Sequence, residues 1–220
     1  MSEQSRGLRS IVLAAIVLCI VASMVGAGAQ DKGLRIAVVS PGRLVSDYKF
    51  AKASRDALEK MQSEVKTTLQ TWDRYHMLTA TEQDALTKLV LKEAATPNDL
   101  TKDEKTQMQQ LKDKHEAQFV EFNNLLKQPV GNFAPAQAAQ LDKLQKIRAD
   151  TAARIKDKDT SAAREIQLKE EDYNVKIDKD VRENLNKVAK EKGFNLVFSS
   201  QVVLFADTDI TDDVLKQLNK

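Results

Sequence analysis

Two hydrophobic patterns divide the chain: short continuous apolar runs near its ends, and a three-to-four-residue repeat through its middle. Leu34 to Val39 is a brief apolar run with β-branched Ile36, Val38 and Val39, closed by Ser40-Pro41-Gly42, which predicts a strand and a turn. From Arg43 to about Ala95 nothing breaks a helix, and Leu58, Met61, Val65, Leu69 and Trp72 form one amphipathic stripe. One helix over that span would be roughly 80 Å long. Thr96-Pro97-Asn98-Asp99 interrupts it. A second helix is predicted over about 99–128, with Met108, Leu111, His115, Phe119, Phe122 and Leu126 on its stripe. The segment from Pro129 to Pro135 cannot continue a regular helix. A third helix follows over about 136–192, with acids four residues before bases at Asp142–Lys146, Asp150–Arg154, Asp172–Lys176, Asp178–Arg182 and Glu183–Lys187. Gly193 is placed to end it in the left-handed conformation. Phe194 to Phe198 and Val202 to Ala206, joined by Ser199-Ser200-Gln201, read as a β-hairpin. A short helix over about 211–218, capped by Asp209 or Thr211, closes the chain.

The first and third helical stretches match in length, so they can pair as the arms of a long antiparallel hairpin. The segment near 99–128 would then form or extend its distal tip. The expected fold is mainly α with a small β body. Residues 30–42 and 193–220 make that body, and 43–192 make the helical arms. Three strands and one short helix bury little core alone, so an oligomer joined through the strands is expected. Ile36, Val38, Val197, Val203 and Phe205 are the candidate residues of that interface.

The N-terminus changes the picture of where the protein works. Arg6 and Arg9 precede an apolar run from Ile11 to Val25, and Gly26-Ala27-Gly28-Ala29-Gln30 follows it. That is a basic start, an apolar core and an A-x-A cleavage site, so residues 1–29 read as a signal peptide cut after Ala29. The run falls short of the ~20 residues of a spanning helix; retention as a membrane anchor is the competing reading. Cys19, the single cysteine, lies inside this run after Leu18, where a lipoprotein signal would want a small residue. Cleavage leaves a chain without disulfide, thiol nucleophile or cysteine metal site. It also removes Arg6, Arg9 and Glu3, so 32 bases face 31 acids. Such an even balance offers no clustered basic face for nucleic acid.

Candidate chemistry is sparse. His76 and His115 each stand on a helix without a second ligand at a recognisable metal spacing, and His115-Glu116 lacks the second histidine of a zinc-protease helix. There is no glycine-rich phosphate loop and no G-x-S-x-G elbow. The sequence therefore predicts no enzyme, no cofactor and no metal. Trp72 and Phe122 belong to the stripes and should fill seams between helices. Tyr75, Met77, Phe119 and Phe133 are the candidates for weak, adaptable contacts with another chain.

The terminal motifs carry a resemblance. The strand Leu34-Arg35-Ile36-Ala37-Val38-Val39 opens directly into long charged helices. The chain closes with Gly193-Phe194-Asn195-Leu196-Val197-Phe198, Val202-Val203-Leu204-Phe205-Ala206-Asp207 and Asp209-Ile210-Thr211-Asp212-Asp213-Val214-Leu215-Lys216-Gln217-Leu218. This order resembles the Skp/OmpH family of periplasmic chaperones. The resemblance implies a periplasmic homotrimer whose strands form a central body and whose helical hairpins project around a cavity. Unfolded outer-membrane proteins would be held there without ATP, and envelope assembly machinery would be a possible partner. Two features depart from the pattern: the middle segment bounded by Pro97 and Pro129 is extra, and the chain is near neutral where the family is typically basic. A coiled-coil spacer or adaptor of the envelope is the competing function.

Overall fold

The computed structural model describes residues 33–129, 133–203 and 205–220. Its elements are β1 (Ile36–Val39), α1 (Pro41–Asp47), α2 (Lys49–Arg74), α3 (Ala80–Ala95), α4 (Lys102–Leu126), α5 (Pro135–Lys192), β2 (Leu196–Ser199) and α6 (Thr211–Leu218). The protein is mainly helical, with one small two-stranded sheet. Its described part divides into two compact units, one of residues up to 53 and from 174 onward, the other of residues 54–173. The helices α2 and α5 run from one unit into the other.

In the first unit β1 and β2 pair in parallel, with Ile36 opposite Leu196 and Val39 opposite Ser199. On the other side of β1, Val38 donates to the carbonyl of Thr208 (2.9 Å) and accepts from the amide of Ile210 (3.0 Å). Ala37, Val39, Leu44, Val188, Ile210, Val214 and Leu215 form the core, with Val181, Leu185, Phe194 and Val197 packed against it. Docking of α6 is fixed by Thr211, whose hydroxyl accepts from the Ser40 amide at 2.9 Å. Ile210 is the N-cap position, and Asp209 just before it accepts from both the amide and the hydroxyl of Thr211, the first residue of the helix.

The expected hairpin is the clearest departure. The run from Phe194 yields β2, yet its partner is β1, and no described residue of 202–206 lies in a strand. Leu204 lies outside the described residues. The reason is burial. Strand β1 offers a pairing edge backed by a core, whereas Val202 is 67% and Phe205 81% exposed, so these two side chains find little apolar cover in their own chain. The Val202 amide closes a turn on Ser199 instead (3.1 Å).

The single helix expected over 43–95 is three helices. At Tyr48 the backbone is extended, between α1 and α2. Asn219, next to last in the chain, supplies what the break takes away. Its side chain accepts from the Lys49 amide (2.8 Å) and donates to the Asp47 carbonyl (3.0 Å). The buried Tyr48 ring is anchored through its hydroxyl to Asp180 (2.7 Å). That bond and burial together push the phenol up to about 12, burial being the larger cause. The second break, residues 75–79, is ended by Thr79, whose amide and hydroxyl both donate to Glu82 (3.0 and 2.9 Å).

Other boundaries fall where expected. Helix α3 ends at Ala95, and Asn98 takes a left-handed φ of 72° in the turn that follows. Gly193 ends α5 at φ 73°, and the Phe194 amide reaches back to the Ala189 carbonyl (2.9 Å). Along α5 the expected pair Asp178–Arg182 forms at 2.7 Å, while Lys176 turns to Asp180 and Arg154 to Asp84.

Candidate functional site

Among the described residues the second unit holds two hydrophobic clusters and several open grooves, two of them lined by apolar and charged side chains of α4 or α2 against α5. Leu78, Leu86, Leu89, Leu100 and Met108 close the space between α3 and α4. Met77, Phe122 and Leu144 form a separate cluster of α4, α5 and the 75–79 connection. Thr101 begins α4 with a capping box: its hydroxyl accepts from the Glu104 amide (3.2 Å), and Glu104 accepts from the Thr101 amide (2.8 Å). Glu104 also takes both of its oxygens to Lys92 of α3 at 2.8 Å. Hydrogen bonding to Lys92, then to the Thr101 amide, holds its carboxyl below the ordinary range.

A polar layer crosses this unit. Gln83, fully buried on α3, donates to the Thr151 hydroxyl on α5 (2.9 Å) and to the Tyr75 carbonyl (3.3 Å). Arg154 of α5 donates to Gln83 (2.7 Å) and Asp84 (2.7 Å), and its guanidinium lies 4.0 Å from the centre of the Trp72 ring. Every polar atom of the Gln83 amide is thus engaged across three elements.

Beside this layer four rings converge. His115 is buried and stacks on Phe119 (centroids 6.0 Å apart); Tyr75 and His76 meet it edge-on at 5.3 and 5.4 Å. The Met77 amide approaches His115 Nδ1 at 3.4 Å. Sequence reasoning treated the two histidines as isolated; the 75–79 break folds the end of α2 onto α4 and brings them together. A helical stripe assigned across 43–95 could not show this, because the contact depends on that break.

The grooves are shallow and face outward. One, of about 750 Å³, runs between α4 and the start of α5 over Ala117, Val120, Leu125 and Ala136, with a Gln140–Glu121 hydrogen bond (3.0 Å) at its rim. The other, of about 430 Å³, runs between α2 and α5 over Leu58, Met61, Val65 and Tyr173. The α2 stripe is therefore only half-buried along most of its length. Among the described residues no group of three or more potential ligands is arranged to hold a metal, and no helix is long and apolar enough to cross a membrane.

The expected contact residues are distributed unevenly. Phe119 is exposed, Tyr75 and Phe133 are half-buried, and Met77 is fully enclosed by Phe122 and Leu144. Met77 is thus a core residue rather than a surface one, because the 75–79 connection turns it inward. Of the interface candidates, Phe205 and Ile36 are exposed and Val203 is half-buried, while Val38 is buried and Val197 packs on its own chain's core. The proposed cleavage point, Ala29, lies outside the described residues.

Among the described residues, long charged helices flanked by strand elements carry shallow open grooves, which makes this a mainly helical protein with a small sheet. The profile of the OmpH-like outer membrane protein family matches residues 90–218, and the chain belongs to that family. No curated protein matches the chain.

Proposed function

We propose that this protein is an ATP-independent periplasmic holdase that binds unfolded outer-membrane proteins and keeps them from aggregating. Membership in the OmpH-like family supports this reading. The observation that carries it is a pair of open grooves in which apolar side chains lie among charged ones. Such surfaces give many weak, adaptable contacts and no deep pocket, which suits unfolded chains of varied sequence. Affinity then comes from several contacts made at once. In this proposal Phe119, with the half-buried Tyr75 and Phe133, adds client contacts outside the grooves. In the same proposal residues 1–29 are a signal peptide cleaved after Ala29, residues 30–42 and 193–220 form the body of a homotrimer, and 43–192 form a long helical hairpin.

The test is light scattering when a urea-unfolded outer-membrane β-barrel protein is diluted into buffer, with and without the chain from Gln30 onward. Suppression at near-stoichiometric trimer without nucleotide is the expected result. A folded oligomer that leaves aggregation unchanged would refute the holdase and favour the envelope spacer.

A further inference from the structure

The chain has two histidines, and they are far apart in sequence. The fold puts both in one contact, His76 from the 75–79 connection edge-on to His115 of α4. They are the side chains whose ordinary titration lies nearest neutrality. We propose that the His76–His115 pair is an acid-sensitive latch, holding α4 against the 75–79 connection at neutral pH and releasing it as the surroundings acidify.

The geometry of His115 carries the proposal. Its Nδ1 is the acceptor for the Met77 amide, so it must be unprotonated there. The ring is 8% exposed and lies among Tyr75, His76 and Phe119. A proton on Nδ1 would remove the acceptor, leave the Met77 amide facing another donor, and place a cation in an aromatic enclosure beside a second imidazole. The charged groups around it do not offset this. His76 faces it from the connection and works against protonation, and Glu116 on its own helix works weakly for it. On α3, Glu82 is held by Lys114. On α5, Arg148 lies over Phe122 and Arg154 over Trp72, both cations.

Burial, the larger cause, and His76 hold His115 below its ordinary range. A depressed imidazole stabilises the folded joint above the unfolded histidine value of about 6.5 and loses that contribution as pH falls below it. What the joint covers is apolar. Met77, Phe122 and Leu144 lie on one side of the connection and the Leu78–Leu86 cluster on the other. Under the holdase reading, on which this clause alone rests, acidification adds client-binding surface.

Amide hydrogen exchange on the protein isolated from cells expressing the full chain tests the latch directly. With rates corrected for the intrinsic effect of pH, protection of the Met77 amide and its α4 contacts should fall from pH 7.5 to 5.5 by a factor of at most about ten, the linkage limit for one histidine with an unfolded value near 6.5. The Val38 amide, bonded to Thr208 in the other unit, should hold its protection. His115→Asn retains an acceptor near Nδ1 without titrating and should abolish the fall; His76→Gln should shrink it. Equal protection of the wild type at both pH values overturns the latch, as does a fall that persists in His115→Asn. Should His115→Asn not fold, an undiminished fall in His76→Gln overturns it equally. Light scattering reads holdase activity separately, so either idea can fail without the other.

Discussion

Arg154 shows how much a single side chain of this protein can organise. It donates to the fully buried Gln83 and to exposed Asp84, and it covers the face of Trp72. The partners differ in what they lose with it. Gln83 Oε1 is left buried without a donor, which costs about 1–3 kcal/mol, and the lost Trp72 contact adds ~0.5–1 kcal/mol. Asp84 simply returns to water. Arg154→Ala should therefore lower the unfolding free energy by about 2 kcal/mol or more, while Asp84→Ala should stay within about 0.5 kcal/mol. Urea unfolding followed by circular dichroism at one fixed protein concentration separates the two. Little of this was legible beforehand. The acid–base spacing assigned Arg154 to Asp150, four residues back, because local spacing cannot see a carboxylate on another helix. Trp72 and Phe122 were read correctly as seam residues, since their stripe positions alone place them inward. Met77 was not, because its direction is set by the break that precedes α3.

At the scale of elements, caps written locally were readable and breaks sustained from afar were not. Thr79-x-x-Glu82 and Thr101-x-x-Glu104 are both start signals visible in the sequence, and the first of them marks the beginning of α3 that a continuous stripe concealed. The interruption at Tyr48 has no such signature. It depends on Asn219 and Asp180, brought together only by the completed first unit. The parallel pairing of β1 with β2 was hidden for the same reason, as local turn chemistry at Ser199-Ser200-Gln201 favoured the nearer partner. The α4 cap makes a sharp test because its hydroxyl acts within the capping box, on the amide and carboxylate of Glu104. Thr101→Ala should cost about 1 kcal/mol and Thr101→Ser should recover most of it. If the two substitutions unfold at the same urea concentration, the cap contributes nothing and α4 is fixed by its Leu100–Met108 packing alone.

For the whole molecule the telling fact is where apolar surface stays uncovered in the first unit. Leu34, Val202 and Phe205 are 68%, 67% and 81% exposed, and Ile36 and Phe198 are exposed beside them. Hydrophobic groups concentrated around one small sheet mark an interaction surface, and further copies of the chain are the partner proposed here. This separates the interface candidates into two kinds. Val197 packs against Val188, Ile210 and their neighbours, so its truncation should weaken the fold of each subunit. Phe205 meets almost nothing in its own chain, so Phe205→Asp should leave the subunit's helix content and urea midpoint unchanged at low concentration. Its effect should appear in mass: if the proposed trimer forms through this surface, sedimentation should show the wild type as a trimer and the variant as a monomer. A Phe205→Asp protein that still sediments as a trimer would move the interface away from this surface. The run 202–206, whose described residues form no strand in the single chain, would then lose its part in the proposed body.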